Sequence, residues 1–152
     1  MKFVDSNLEN VLTYLNRLTP ETKPLLGKMT AQQVVEHLTL TLEMAMGKRH
    51  FDLQVKPEQF ETLRKFIGSD KPLPRDFKAV FAPENPKLVH EELALAIDDY
   101  CDKWMELEDF FESHPGIETE HPHFGPLNYE LWIKIHEKHL THHFTQFGLI
   151  ND

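Results

Sequence analysis

The sequence predicts an all-α protein, a four-helix bundle with a short extra helix in a long crossover. Three observations carry that expectation. Apolar residues recur at spacings of three and four through four segments. Proline, glycine and capping residues fall where those segments would end. No stretch alternates apolar and polar residues as a half-buried strand would.

A first helix is expected over 7–18, capped by Ser6 or Asp5, with Leu8, Val11, Leu12, Leu15 and Leu18 on one side and Pro20 and Pro24 beyond its end. The second opens on a capping box, Thr30 with Gln33 three positions on, and runs to about Met46 before Gly47. Residues 57–67 suggest a short helix inside a crossover broken by Pro72, Pro74, Pro83 and Pro86. The third long helix, over 88–113, carries Leu93, Ile97, Tyr100, Trp104, Leu107 and Phe111 as a packing seam. His114-Pro115-Gly116 ends it, and a loop with His121-Pro122-His123-Phe124-Gly125 follows. Asn128 caps the fourth, which reaches Phe147 and closes on Gly148 and Leu149 as a left-handed C-terminal cap. These segments give an antiparallel bundle with one long crossover.

With 152 residues, the chain is expected to form a single domain over 1–152. Its one cysteine, Cys101, excludes an internal disulfide, which fits a reducing compartment, and neither a signal peptide nor a membrane span is visible. Cytoplasmic location is the expectation. A net charge of −9 and scattered lysines and arginines argue against nucleic-acid binding.

The ten histidines are the exception in an otherwise ordinary composition, and four lie between His136 and His143. On a wheel of about 100° per residue, Trp132, His136, His139 and His143 fall within about 60° of one another on the dry side of the fourth helix. His142 lies nearer the edge. Glu130, Lys134, Glu137, Lys138, Thr141 and Thr145 take the wet side. In the second helix His37 lies in the dry half with Val34, Leu38, Leu42 and Ala45, opposite Gln32, Glu36, Thr39 and Glu43. Imidazoles in an apolar seam are costly unless their nitrogens find partners, and a divalent metal is one such partner. His139 and His143, four apart, can grip one ion, with His37 as a third ligand and a position left open for water. The spacing does not choose between the pairs His139/His143 and His136/His139. A hydrogen-bonded core histidine is the simpler reading of any one of these rings.

Two blocks carry a family resemblance. The run Lys28-Met29-Thr30-Ala31-Gln32-Gln33-Val34-Val35-Glu36-His37-Leu38 resembles the start of the second helix in DinB-like (DinB/YfiT-type) proteins. The segment His121-Pro122-His123-Phe124-Gly125-Pro126-Leu127, with Trp132 and the run from His139 to Gly148, resembles an uncharacterised branch of that superfamily. The match is strong at these blocks, loose between them, and agrees in length and helix order over essentially the whole chain. The resemblance implies an up-down-down-up bundle holding zinc or nickel on three histidines, here His37, His139 and His143. Members include thiol S-transferases that use bacillithiol or mycothiol, and metal-dependent isomerases and hydrolases.

An open metal position lowers the pKa of bound water or deprotonates a thiol, which points to hydrolysis or thiol transfer. His136, one turn from His139, is the expected proton-handling catalytic residue, with His142 and His121 as weaker candidates. Cys101 reads as core, and Trp132 as a pocket wall. The expected partner is a small molecule, including a low-molecular-weight thiol, with no nucleic acid and no membrane; the resemblance also implies a homodimer. The competing expectation is a non-catalytic metal-binding or dimerising bundle. The crossover over 51–87 is expected to cover the mouth of the site.

Overall fold

The computed structural model describes residues 2–151; Met1 and Asp152, the ends of the expected 1–152 domain, lie outside the described residues. It is mostly helical. Helices α1 (Leu8–Leu15) and α2 (Ala31–Ala45) are followed by a 3-10 turn (Pro57–Gln59) that runs into α3 (Phe60–Ile67). Then come α4 (Leu93–Ser113), strands β1 (Thr119–His121) and β2 (Gly125–Leu127), and α5 (Tyr129–Gln146). Among the described residues no helix is long and apolar enough to cross a membrane.

Helix α1 is shorter than expected and is capped by Asn7, not by Ser6 or Asp5. The Asn7 side chain accepts from the backbone N–H of Glu9 and Asn10, while the Asp5 carboxylate accepts from the Asn7 N–H. Leu18 lies beyond the helix, yet it is buried.

The capping box of α2 forms as expected. Thr30 Oγ1 accepts from the Gln33 N–H at 3.1 Å, and Gln33 Oε1 accepts from the Thr30 N–H at 2.9 Å. The same glutamine donates through Nε2 to Asn85 Oδ1 and the Pro86 carbonyl, tying the crossover to the start of the helix. The wet side of α2 is narrower than the periodicity suggests. Thr39 is buried, with its hydroxyl donating to the Val35 carbonyl. Glu36 is half-buried, and its carboxylate accepts from the N–H groups of Val89 and His90. Those two bonds hold 88–92 out of the helix, so α4 starts at Leu93 and not at 88.

The expected loop after α4 is an antiparallel ribbon, pairing Thr119 with Leu127 and His121 with Gly125. Strands of three residues, one holding Pro126, are too short for alternation to announce them. Gly125 makes the ribbon possible: its φ is +81°, and a Cβ there would lie 2.6 Å from the Phe60 ring.

Asn128 caps α5 through the Leu131 N–H at 3.0 Å. Its end is a Schellman motif, with the Leu149 N–H donating to the Phe144 carbonyl and the Gly148 N–H to Thr145, Gly148 having φ +69°. Two residues assigned to the wet side of this helix are buried. Lys138 reaches across to donate to the carbonyls of Ser69 and Lys71, its ammonium 4.4 Å from the centre of the Phe3 ring and 4.7 Å from that of Phe66. Thr141 accepts from the Val4 N–H at 2.8 Å and donates to the Glu137 carbonyl. The chain before α1 therefore covers what the helix wheel leaves to water.

Candidate metal centre

Helix α2 brings His37 to the cluster, and two successive turns of α5 bring His139 and His143. Nε2 of His139 lies 2.9 Å from Nε2 of His37 and 2.9 Å from Nε2 of His143. The three rings meet edge-on, with centroids 4.6–5.0 Å apart. His37 and His143 are buried, while His139 is partly open to a cavity of about 440 Å³ that all three line.

Ordinary hydrogen bonding cannot satisfy three nitrogens in this arrangement. His143 Nδ1–H donates to Gln146 Oε1 at 2.8 Å, which leaves Nε2 of that neutral ring as a lone pair. His139 Nε2 can then be a donor toward only one of two neighbours, or an acceptor facing the lone pair of His143. Adding a proton is disfavoured. Burial, and secondarily repulsion from His142, holds His37 to about 4; burial pushes His139 and His143 well below the ordinary histidine range. A divalent cation fits this donor set. Nitrogens bound at about 2.0–2.1 Å to one ion stand roughly 2.9–3.4 Å apart as the angle opens from 90° to tetrahedral. The three ligand atoms lie within 4.8 Å of one another.

The other expected residues divide. His136 lines the same cavity but turns its Nε2 to the Tyr100 hydroxyl at 2.8 Å, stacked on Trp104 at 5.7 Å. The converging pair on α5 is thus His139 with His143. Burial holds His136 to about 3, so it is neutral at pH 7 and a weak base. His142 is half-buried and accepts from Gln146 Nε2 at 3.2 Å. His121 also lines the cavity, from the end of β1. Trp132 walls it as expected, its indole N–H donating to Thr119 Oγ1. Cys101 is half-buried with its thiol pKa raised by burial, and it lies outside the buried core cluster. The crossover lines the cavity through Leu73, Phe77 and Phe81; Phe81 stacks on His37 at 5.6 Å, and the Val80 N–H donates to His123 Nε2 at 3.0 Å.

Two residues were missed from the sequence. Gln146 orients both His142 and His143, and its position three after His143 was the available signal. Tyr100 carried none, because its seam position reads as apolar packing.

Over residues 2–148 the chain matches the family described as protein of unknown function (DUF1569). The chain belongs to that family. No curated protein and no solved structure matches this DUF1569 chain.

Proposed function

We propose that this DUF1569 protein is a DinB-like metalloenzyme that holds one divalent ion, zinc or nickel, and acts on a small molecule by hydrolysis or thiol S-transfer. The observation that carries the reading is the meeting of three Nε2 atoms that no arrangement of ring protons satisfies. The order of elements supports the DinB-like bundle: α1, α2, α4 and α5 serve as the four helices, and α3 lies in the crossover between the second and third.

A divalent ion there supplies a Lewis acid, able to acidify a water or thiol at pH 7. The chain's own part is to hold and shape. His37, His139 and His143 present neutral nitrogens, and Gln146 fixes the His143 tautomer, the kind of outer contact that orients a metal ligand. Phe81 and Trp132 enclose the cavity and limit water. His136 does not serve as the base in this reading, because burial lowers its basicity and its Nε2 is occupied by the Tyr100 hydroxyl.

Elemental analysis of protein purified without a histidine tag tests the reading, with about one ion per chain expected. Turnover in a screen of small thiols and esters then separates an enzyme from a binding module. Absence of stoichiometric metal, with thermal stability unchanged by chelator, would leave only a packed helical bundle.

A further inference from the structure

The ribbon brings a different kind of buried histidine into the same cavity. His121, 5% exposed, accepts at Nδ1 from the backbone N–H of His123 at 3.0 Å. Burial, with His123 beside it, holds the ring to about 3, so it is neutral at pH 7. A neutral imidazole accepting at Nδ1 carries its proton on Nε2. Among the described residues that Nε2–H meets no acceptor. The ring's neighbours include the faces and edges of Phe81, Phe124 and Trp132, at centroid distances of 5.7, 4.9 and 5.2 Å. Nor is the atom sealed, since Arg64 Nε is the one fully enclosed side-chain nitrogen or oxygen without a partner among the described residues. The free N–H of His121 therefore keeps accessible surface, and the residue lines the cavity.

We propose that His121 Nε2–H is a substrate-binding donor that takes a carbonyl or carboxylate oxygen of a small molecule built on an apolar frame. The assignment deepens the proposed function, since it takes this cavity as the substrate site. A donor without a protein partner, in a pocket lined largely by apolar side chains, is open to a ligand oxygen that takes the place of water there. The surrounding rings suit an apolar frame. Although the whole chain is acidic, Glu84 is the one carboxylate lining the cavity among the described residues; it sits exposed and 3.0 Å from Lys28 Nζ. An oxygen with partial or full negative charge thus meets little repulsion near His121. The donor is also held in place, because the Gln54 N–H donates to the Pro122 carbonyl at 2.7 Å, beside His121.

Acetophenone and ethylbenzene share a shape and differ by one carbonyl oxygen, so they serve as probes. Both are titrated into metal-free protein, with the fluorescence of Trp104 and Trp132, which both line the cavity, as the reading. Acetophenone is expected to bind roughly tenfold more tightly. In His121→Phe the two probes should bind alike, and His121→Gln, which keeps an amide donor, should restore part of the preference. Long-range proton–nitrogen spectra of the unmodified protein should show His121 protonated at Nε2, with that resonance moving on addition of acetophenone. Equal binding of the probes, no binding of either, a preference that survives in His121→Phe, or an unmoved resonance would each overturn the proposal. If His121→Phe does not fold, the spectra of the unmodified protein decide alone. Zinc stoichiometry on the same preparation is read separately, so loss of the metal reading leaves this one standing, and the reverse.

Discussion

Six histidines line one cavity and burial lowers the basicity of every one, yet the nitrogens of five of them end in two different situations. His121 and His136 each accept from a conventional donor, the His123 backbone N–H and the Tyr100 hydroxyl. His37, His139 and His143 turn their Nε2 atoms on one another. The lowered pKa values are common to both groups, with desolvation the largest cause in each case. Depressed basicity therefore marks burial, not ligation. What singles out the second group is convergence without enough protons to satisfy it.

The largest expected effect follows from that difference. His139→Ala should bring bound zinc from about one ion per chain to near zero, while His136→Phe should leave it unchanged. The same contrast should appear in thermal unfolding. Zinc at about a thousand times its dissociation constant stabilises a binding protein by roughly 4 kcal/mol. That rise should vanish in His139→Ala and persist in His136→Phe. Zinc retained by His139→Ala, or lost from His136→Phe, would erase the distinction between the groups.

How much of this was legible in the sequence depended on the range of the interactions. The limits of α2 and the end of α5 could be read, because a capping box and a Schellman glycine act within a few residues. The inward face of α5 could be read too, since a wheel needs only the pitch of the helix. Lys138 could not. A wheel assigns a lysine to water, but its four-carbon stem carries the ammonium to carbonyls nearly seventy positions away, at Ser69 and Lys71. Thr141 was hidden in the same way by Val4. The pairing of His139 with His143 rather than His136 was left open by spacing, since both pairs lie on one face; the phenol of Tyr100, from a different helix, draws His136 aside.

Acid stability offers a second contrast, of intermediate size. His136 titrates near 3 in the folded chain and near 6.5 when unfolded. Below about pH 6.5 the unfolded chain takes up a proton that the native ring refuses. Stability therefore falls as pH falls through that window, by about 3 kcal/mol at pH 4 from this group alone. Urea unfolding of metal-free protein between pH 7 and pH 4 should show a steep decline for the unmodified chain and a shallower one for His136→Phe. Parallel declines would mean that His136 is not held neutral by the fold.

The smallest effect concerns the bond that keeps His136 out of the cluster. The phenol of Tyr100 is fully buried and its pKa is pushed far up by that burial, so its proton stays on and needs an acceptor. In His136→Phe the hydroxyl loses that acceptor, at a cost of about 1–3 kcal/mol at pH 7. In Tyr100→Phe the ring nitrogen loses its donor, with a similar or smaller loss. Removing both partners leaves two apolar rings of nearly the original shape and no orphaned group. The double variant should thus fall short of the summed single losses by about 1 kcal/mol in urea unfolding. Strict additivity would mean that the two groups do not bond in solution, and His136 would then be free to turn toward His139.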